Sequence, residues 1–550
     1  MIGASLTQDL SEAAEADDTA TLTSANAPPA LVGRIEGGYD AIVIGGGCDG
    51  VISACYLAKA GLKTALLERG SAAATLATRE FAPGAKASDG PHLLDAFDPQ
   101  IIRDLRLAKF GLKLGKQLAE PIVLRGEGRE ALRLARVKRG AGGQQDASGL
   151  GDAAAYATLL KSDAAFASSL KGAFARGPAV SLGLGLDGPF ERLLEKLGGA
   201  EKTRLARAAD AVAAEELSSV LRDAALVDAL SFDAVKGASA GPLSPGSYLG
   251  WVRHLAGAAG EAPGAGRHIE GGLGGLGEAL RRSAERFKVD IRTDVRVKQI
   301  LVEWDAAAGV AIEGGGQLRA PIVVSALSAA HTLGDLVGSQ GLDAELLSEL
   351  ESPAPALGAA KLHLALRSAP EFYGAERGDL SGRLILAPGA QEQEAAFAAA
   401  RRGLPAQRPP MEIVLPSVHD RAMAKDQGFV LSALLYPAPT RLTTADRTEL
   451  LKHAIATLSA ASPGLVDKIS AAELRLAADL EADYGAVEAP FAAQPPIAAH
   501  WLGAFAASRA GGVSGLFLCG PDANLGGRFS GAPGRRAAER AIKHSKRRRG

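Results

Sequence analysis

Residues 39 to 70 read YDAIVIGGGCDGVISACYLAKAGLKTALLERG. The apolar run Ala41 to Ile44 has the composition of a strand buried on both faces, and it meets a turn whose glycines at 45, 47 and 50 keep the GxGxxG spacing. Each glycine has a separate reason. Gly45 permits the tight turn, Gly47 lets the backbone come close to a pyrophosphate, and Gly50 lets the next helix pack against the strand. The amides that open that helix, together with the positive end of its dipole, can hold phosphates. The spacing predicts a helix from about Val51 to Ala60, a stop at Gly61 and a second strand, Thr64 to Leu67, ending in Glu68 with Arg69 beside it. Glu68 lies where a partner for a ribose hydroxyl is expected, and an acid there favours an unphosphorylated ribose, hence FAD or NAD over NADP.

The chain has 550 residues, enough for two or three domains with sizeable cores, and a 47% hydrophobic content ordinary for a globular protein. Its formal net charge of −1 offers no general attraction to nucleic acid or to an anionic membrane. Cys48, Cys55 and Cys519 are few, spread out and apolar in context, which argues against a disulfide framework or a metal cluster and suits a reducing compartment. No apolar run has the length of a membrane span and no secretory signal follows Met1, so a soluble, cytoplasmic protein is expected. The first 37 residues read as a disordered leader, and the ending HSKRRRG as a short solvated tail.

Farther along, residues 71 to 114 place a small-residue segment, Thr78, Glu80, Pro83 and Gly84 ahead of a helix from about Pro99 that ends in FGLKL. This order resembles the phytoene-desaturase-like FAD oxidoreductases, in particular their pyridine nucleotide-disulfide oxidoreductase domain-containing and carotenoid ketolase-like branch, although no CxxC redox pair is present. Residues 115 to 265 read as mostly helical, with an interruption at Gly140 to Gln145. The resemblance assigns them to a substrate domain. Gly271, Gly272, Gly274 and Gly275 then precede an amphipathic helix from about Leu276 to Phe287, strands near Asp290 to Arg292 and Val295 to Val302, and the run APIVVSALS from Ala320. By resemblance the glycine loop lies near the flavin, and the strand carrying Val297 flanks the adenosine end.

Between 355 and 480 strand-like runs appear at Lys361 to Leu366, Glu412 to Leu415 and Phe429 to Leu435, with a helix from about Ala445 to Ala461. His363 and His419 invite a catalytic reading, but a lone histidine on a strand is more often structural. The chain closes with GLFLCGPDANLGGRFSGAPGRRAAERAI, in which the strand Leu516 to Cys519 leads into Gly520, Gly526, Gly527, Gly531 and Gly534 before a helix. Such a loop places backbone amides at a helix start beside an anionic or electron-accepting group. By resemblance it closes over the flavin, so that both chain ends build the cofactor site.

The expected fold is thus α/β: a Rossmann-type FAD-binding domain assembled from residues 38–90, 266–335 and 486–542, with an α+β substrate domain built from 91–265 and 336–485. The candidate cofactor-binding residues are Gly45, Gly47, Gly50, Glu68, Arg69, Val297, Gly520, Gly526, Gly527 and Gly531. Departures from the resembling family fall on these loops. Cys48-Asp49 stands where members have His-Asn, Ala73-Ala74 where they have Gly-Gly, and Asn524-Leu525-Gly526-Gly527-Arg528 where they tend to have His-Pro-Gly-Gly-Gly. Added methyls in a tight site cost roughly 1 to 3 kcal/mol each, and a negative Asp49 opposes a pyrophosphate unless it points away or caps a helix.

The leading expectation is an oxidoreductase that moves hydride between FAD and an apolar, isoprenoid or lipid-like small molecule, with no protein residue singled out as catalyst. No metal-ligand spacing and no GxSxG nucleophile elbow is present. A degenerate member with weakened flavin binding, acting as a structural or binding subunit of a larger complex, is the rival. An amine-oxidase-like flavoenzyme fits the residues 71 to 114 and the C-terminal segment less well. Peripheral membrane contact, homo-oligomerisation and a partner subunit are left open.

Overall fold

Ala41–Ile44, Thr64–Leu67, Val323–Ser325 and Leu516–Leu518 are short apolar runs whose side chains are buried almost throughout. Strands of this kind need cover on both faces, which a parallel sheet between helices provides. In the computed structural model they form, with Asp290–Arg292, one five-stranded parallel sheet ordered 516–518, 323–325, 41–44, 64–67, 290–292. The structure describes residues 38–549 apart from 72, 74, 75, 92, 95, 96, 127, 135–151, 177–196, 258–265, 339–356, 427, 485–512 and 521–528. The expected leader and the Gly140 to Gln145 interruption lie outside the described residues.

Helix Cys48–Lys59 crosses one face of this sheet, flanked by Leu273–Arg286 and Ala532–Arg549, and Val51, Ile52, Leu57, Leu276, Leu280, Ala537, Ala538 and Ala541 share one apolar cluster there. The other face is covered by an antiparallel meander, Val297–Glu303, Ala306–Ile312 and Gln317–Arg319, whose Ile300, Val310 and Leu318 pack with Ile42, Ile44 and Leu67. The final helix runs on through most of the basic ending, the short solvated tail of the sequence analysis. Arg548 still lies inside it and is exposed.

A second sheet of seven strands is ordered 469–475, 357–366, 429–439, 411–414, 384–386, 122–123, 132–133. The last two strands fall in a stretch expected to be mostly helical. They are two residues each, too short for a period to register in the sequence. One face buries Leu362, Leu364, Leu431 and Ala433 against Leu450, Ala454 and Leu458 of helix Thr444–Ser459. The opposite face is divided. Leu357, Ala359, Ile385 and Tyr436 lie under a helical layer that includes Ala224–Val235 and Ser247–Gly257. Ala365 and Val430 lie under Ala85 of the hairpin Thr78–Ala82 and Ala85–Ser88.

Arg383 fastens the helical layer to this sheet. Its guanidinium, 2% exposed, donates to both oxygens of Asp233 on helix Ala224–Val235 and to Glu412 on strand Met411–Val414. Lys236 joins Glu412 at 2.6 Å. Burial would strip the charge from Arg383, but the two carboxylates outweigh it and raise its pKa.

Candidate functional site

The site begins at the carboxyl ends of three adjacent parallel strands, the place where an open α/β sheet receives a ligand. Residues 45 and 326 follow two of those strands directly, and Gly520 lies one residue past the third, after Cys519. Gly45 has φ +91°, and a β-carbon there would come within 3.2 Å of Leu327. At Gly520 a β-carbon would sit 1.9 Å from the Leu327 carbonyl oxygen, so the last strand reaches the same point by backbone contact. Gly50 lies against the turn itself, 1.9 Å from the Gly45 oxygen by the same measure. Side chains are excluded from the turn except at one place. Among the described residues a β-carbon on Gly47 would meet nothing within 4 Å, and Gly47 is the extended residue that opens helix Cys48–Lys59, with no side-chain cap hydrogen bond. That is the geometry a pyrophosphate needs.

Glu68 ties the turn to the end of the second strand. One carboxylate oxygen accepts the Gly46 N–H at 2.5 Å and the other the Gly70 N–H at 2.8 Å. Each oxygen keeps further lone-pair capacity for a ribose hydroxyl. Arg69 is partly exposed beside it. The chain returns to the same point through Val295, whose N–H donates to the Glu68 carbonyl at 2.9 Å. Val297, at the start of the next strand, is buried in the cluster beneath with Ile42, Ile44 and Leu67.

Two of the departures from the resembling family are absorbed. Ala73 has φ +60°, the left-handed conformation that glycine adopts freely. Its N–H reaches the Gly46 carbonyl at 2.7 Å, and its methyl is buried in the apolar cluster beside helix Leu273–Arg286. The loop therefore keeps a glycine-like path, and the extra methyl points into the core. Asp49 turns away from the pyrophosphate position, and its Oδ1 accepts the Gly534 N–H at 3.0 Å in the first turn of the final helix. Burial pushes its carboxyl up to about 6, against the pull of the Gly534 amide and Arg536. Gly531, with φ +68°, lies buried where a β-carbon would come 2.7 Å from Ile52, so its role is to let the final helix approach. Gly526, Gly527, Ala74 and Arg528 lie outside the described residues. Cys48, Cys55 and Cys519 are free and buried, with burial raising each thiol well out of the reactive range.

Beside this cradle lies a polar joint that sequence reasoning missed. Tyr484, whose backbone oxygen would lie 3.6 Å from a β-carbon on Gly70, donates its hydroxyl to Asp89 at 2.9 Å. Arg79 forms a fork on Asp89 at 2.7 and 2.9 Å and reaches Glu473 at 2.5 Å. His363 stands 3.5 Å from Asp89 and shares a proton with Ser432 at 2.8 Å. Ligand atoms of Asp89, His363 and Glu473 fall within 4.8 Å of one another, close enough for a metal, but the Arg79 guanidinium already supplies the cation that joins the two carboxylates. Burial alone would raise the Asp89 carboxyl; the contacts from His363 and Arg79 hold it far below the usual carboxylate range. Burial drives His363 down to about 4, so its ring is neutral.

Lys361 shares the sheet face with His363, 1% exposed, its Nζ donating to the Gly90 carbonyl at 3.0 Å. Burial brings its ammonium down to about 7, against the pull of Asp89 and Glu412. A signal existed in the sequence: a lysine inside the otherwise apolar run LGAAKLHLAL. His419 belongs to a different spot, stacked on His268 with ring centroids 5.2 Å apart.

Comparison with known proteins bears on the cradle directly. Residues 43–106 match the model of the NAD(P)-binding Rossmann-like domain. The parallel-sheet domain is of the Rossmann type. Over the whole chain, pyridine nucleotide-disulfide oxidoreductase domain-containing protein 2 of Mus musculus is 27% identical across 92% of this chain and 94% of its own. The Rattus norvegicus protein of that name is 28% identical over the same shares. Among solved structures, cyclohexylamine oxidase from Brevibacterium oxydans superposes with a TM-score of 0.57 at 16% identity, covering 94% of this chain and all of that one. An oxidoreductase from Methanosarcina mazei gives 0.54 at 16% identity, covering 92% and 99%. At such identities the agreement is one of fold: a Rossmann-type domain gathered from separated segments, joined to an α+β domain on a large sheet. Among the described residues no helix is long and apolar enough to cross a membrane.

Proposed function

We propose that this chain is an FAD-dependent oxidoreductase. The observation that carries the reading is the space at Gly47, where among the described residues a β-carbon would meet nothing within 4 Å, at the start of helix Cys48–Lys59 and one residue from the Gly46 amide that Glu68 holds. Gly45, Gly47 and the first turn of helix Cys48–Lys59 would hold the pyrophosphate, and Glu68 the ribose. When bound, the flavin would take hydride from, or give it to, the substrate. The polar joint would do the protein's part of the chemistry. Lys361, dry and poised near neutrality, accepts or returns the proton that accompanies hydride movement, while Arg79, Asp89 and His363 fix the wall around it. The substrate we infer is an organic molecule with an apolar body, the class implied by the phytoene-desaturase-like resemblance, and a protonatable or polar group at Lys361.

The degenerate reading is weakened by Ala73 and Asp49, the two departures that the fold accommodates without closing the cradle. An absorption spectrum of the purified protein tests the choice. Flavin bands at about one FAD per chain, bleached by an oxidisable substrate under exclusion of oxygen, are expected. A colourless protein that takes up no added FAD overturns the enzyme reading.

A further inference from the structure

Two helix starts converge on a single carboxylate. Asp49 lies in the first turn of helix Cys48–Lys59, which Gly47 opens, and its Oδ1 takes the Gly534 N–H of helix Ala532–Arg549 at 3.0 Å. The backbones nearly touch there, since a β-carbon on Gly534 would lie 2.2 Å from the Asp49 carbonyl oxygen. Were the carboxylate to swing out, it would leave the Gly534 N–H without this partner while the backbone contact between the two helices remained.

We propose that Asp49 is a positioning residue that sets how tightly this chain holds the pyrophosphate of its cofactor. Neutral, it docks the final helix; ionised, it docks the same helix while opposing the phosphates. The inference rests on the dinucleotide reading of the cradle. Phosphates at the opening amides of helix Cys48–Lys59 lie within one helical turn of Asp49, too near for salt to screen a full charge. The groups that face Asp49 set the balance. From the final helix come the Gly534 amide and Arg536, whose guanidinium burial lowers to about 10 and which in turn feels Arg540, Arg535 and Glu539. Arg535 is committed to Asp98 at 3.0 Å and to Glu539. From its own helix and from the end of strand Leu516–Leu518 come the Cys48 and Cys519 thiols, both uncharged near neutrality. Arg536 stays charged throughout, so ionisation of Asp49 removes one net positive charge from the locus. The carboxyl changes state near pH 6, whereas the internal pyrophosphate of FAD keeps its charge across that range.

The test titrates FAD into the full chain at about pH 5 and about pH 8 and compares Asp49→Asn, whose side-chain oxygen accepts the same hydrogen bond without the charge. The wild type is expected to bind about tenfold more weakly at the higher pH, as a charge opposed at this range in a half-buried site predicts. Asp49→Asn should hold FAD equally at both and match the wild type at pH 5. Riboflavin, which lacks the pyrophosphate, should show no such fall, and that comparison stands on the wild type alone should the variant not fold. FAD binding that is independent of pH in the wild type, or a pH-dependent fall shared by riboflavin or by Asp49→Asn, overturns the role of Asp49 and leaves the cofactor reading intact. No FAD binding at either pH overturns both.

Discussion

Arg383 and Lys361 are both cations shut inside the same seven-stranded sheet, yet they are treated oppositely. Arg383 meets two carboxylates, one of them through a fork, and keeps its charge. Lys361 donates to a backbone carbonyl, and the carboxylates of Asp89 and Glu412 pull on it without holding its charge. A saturated buried ion network fixes geometry, because removing one member strands the rest. A buried amine left near its own neutral point can trade a proton. Burial alone does not separate structural from chemical roles; the partners do.

The comparison breaks first at Arg383. Arg383→Ala strips Asp233 of its guanidinium and leaves Glu412 with Lys236 alone of the two cations bonded to it, and should cost about 3–5 kcal/mol of stability, read as a lower denaturant midpoint. If Arg383→Ala leaves stability unchanged, the network is not the fastener described above. Lys361→Met should instead leave stability the same or higher while lowering turnover about a hundredfold, near 2.7 kcal/mol. The pH profile sharpens this. A neutral amine is the working base, so the wild-type rate for substrate oxidation should rise with pH through about 7 and level off, and the rise should vanish in Lys361→Met. At the cradle, Gly47→Val should fold normally, since among the described residues nothing lies within 4 Å of a β-carbon there, but weaken FAD binding about tenfold, measured by fluorescence titration. The smallest effect is expected at Ala73. Ala73→Gly relieves a left-handed alanine and should raise stability by about 1 kcal/mol, whereas a loss would mean that its buried methyl outweighs the strain.

The dinucleotide turn was legible because its signals are local: an apolar run, three spaced glycines, a helix and an acid within about thirty residues. Strand Asp290–Arg292 and helix Thr444–Ser459 were read almost to the residue for the same reason. The polar joint was not. Arg79, Asp89, Lys361, Glu473 and Tyr484 come from four distant segments, and their partnership depends on how a hairpin of one domain lies on the sheet of the other. Asp49 shows a third case. The sequence set out both of its options, and only the approach of Gly534 decided between them. Val297 was placed on its strand, Val297–Glu303, and the face its side chain takes, buried with Ile42, Ile44 and Leu67, depends on which side of the sheet the meander covers.

The order of the parallel sheet bears on how the protein is made. Ile42 pairs with Val323, and Val323 in turn pairs with Leu516. While the ribosome is still working, the first strand, its turn and Glu68 emerge with only Thr64–Leu67 for a neighbour. Pairings this distant in sequence close slowly, and the edge that accepts Val323–Ser325 stays uncovered until more than half of the chain exists. The outermost strand, Leu516–Leu518, and the helix Ala532–Arg549 that seals the turn emerge later still. A chain cut short before Leu516 would leave the Val323–Ser325 edge of the parallel sheet unpaired and open to other chains.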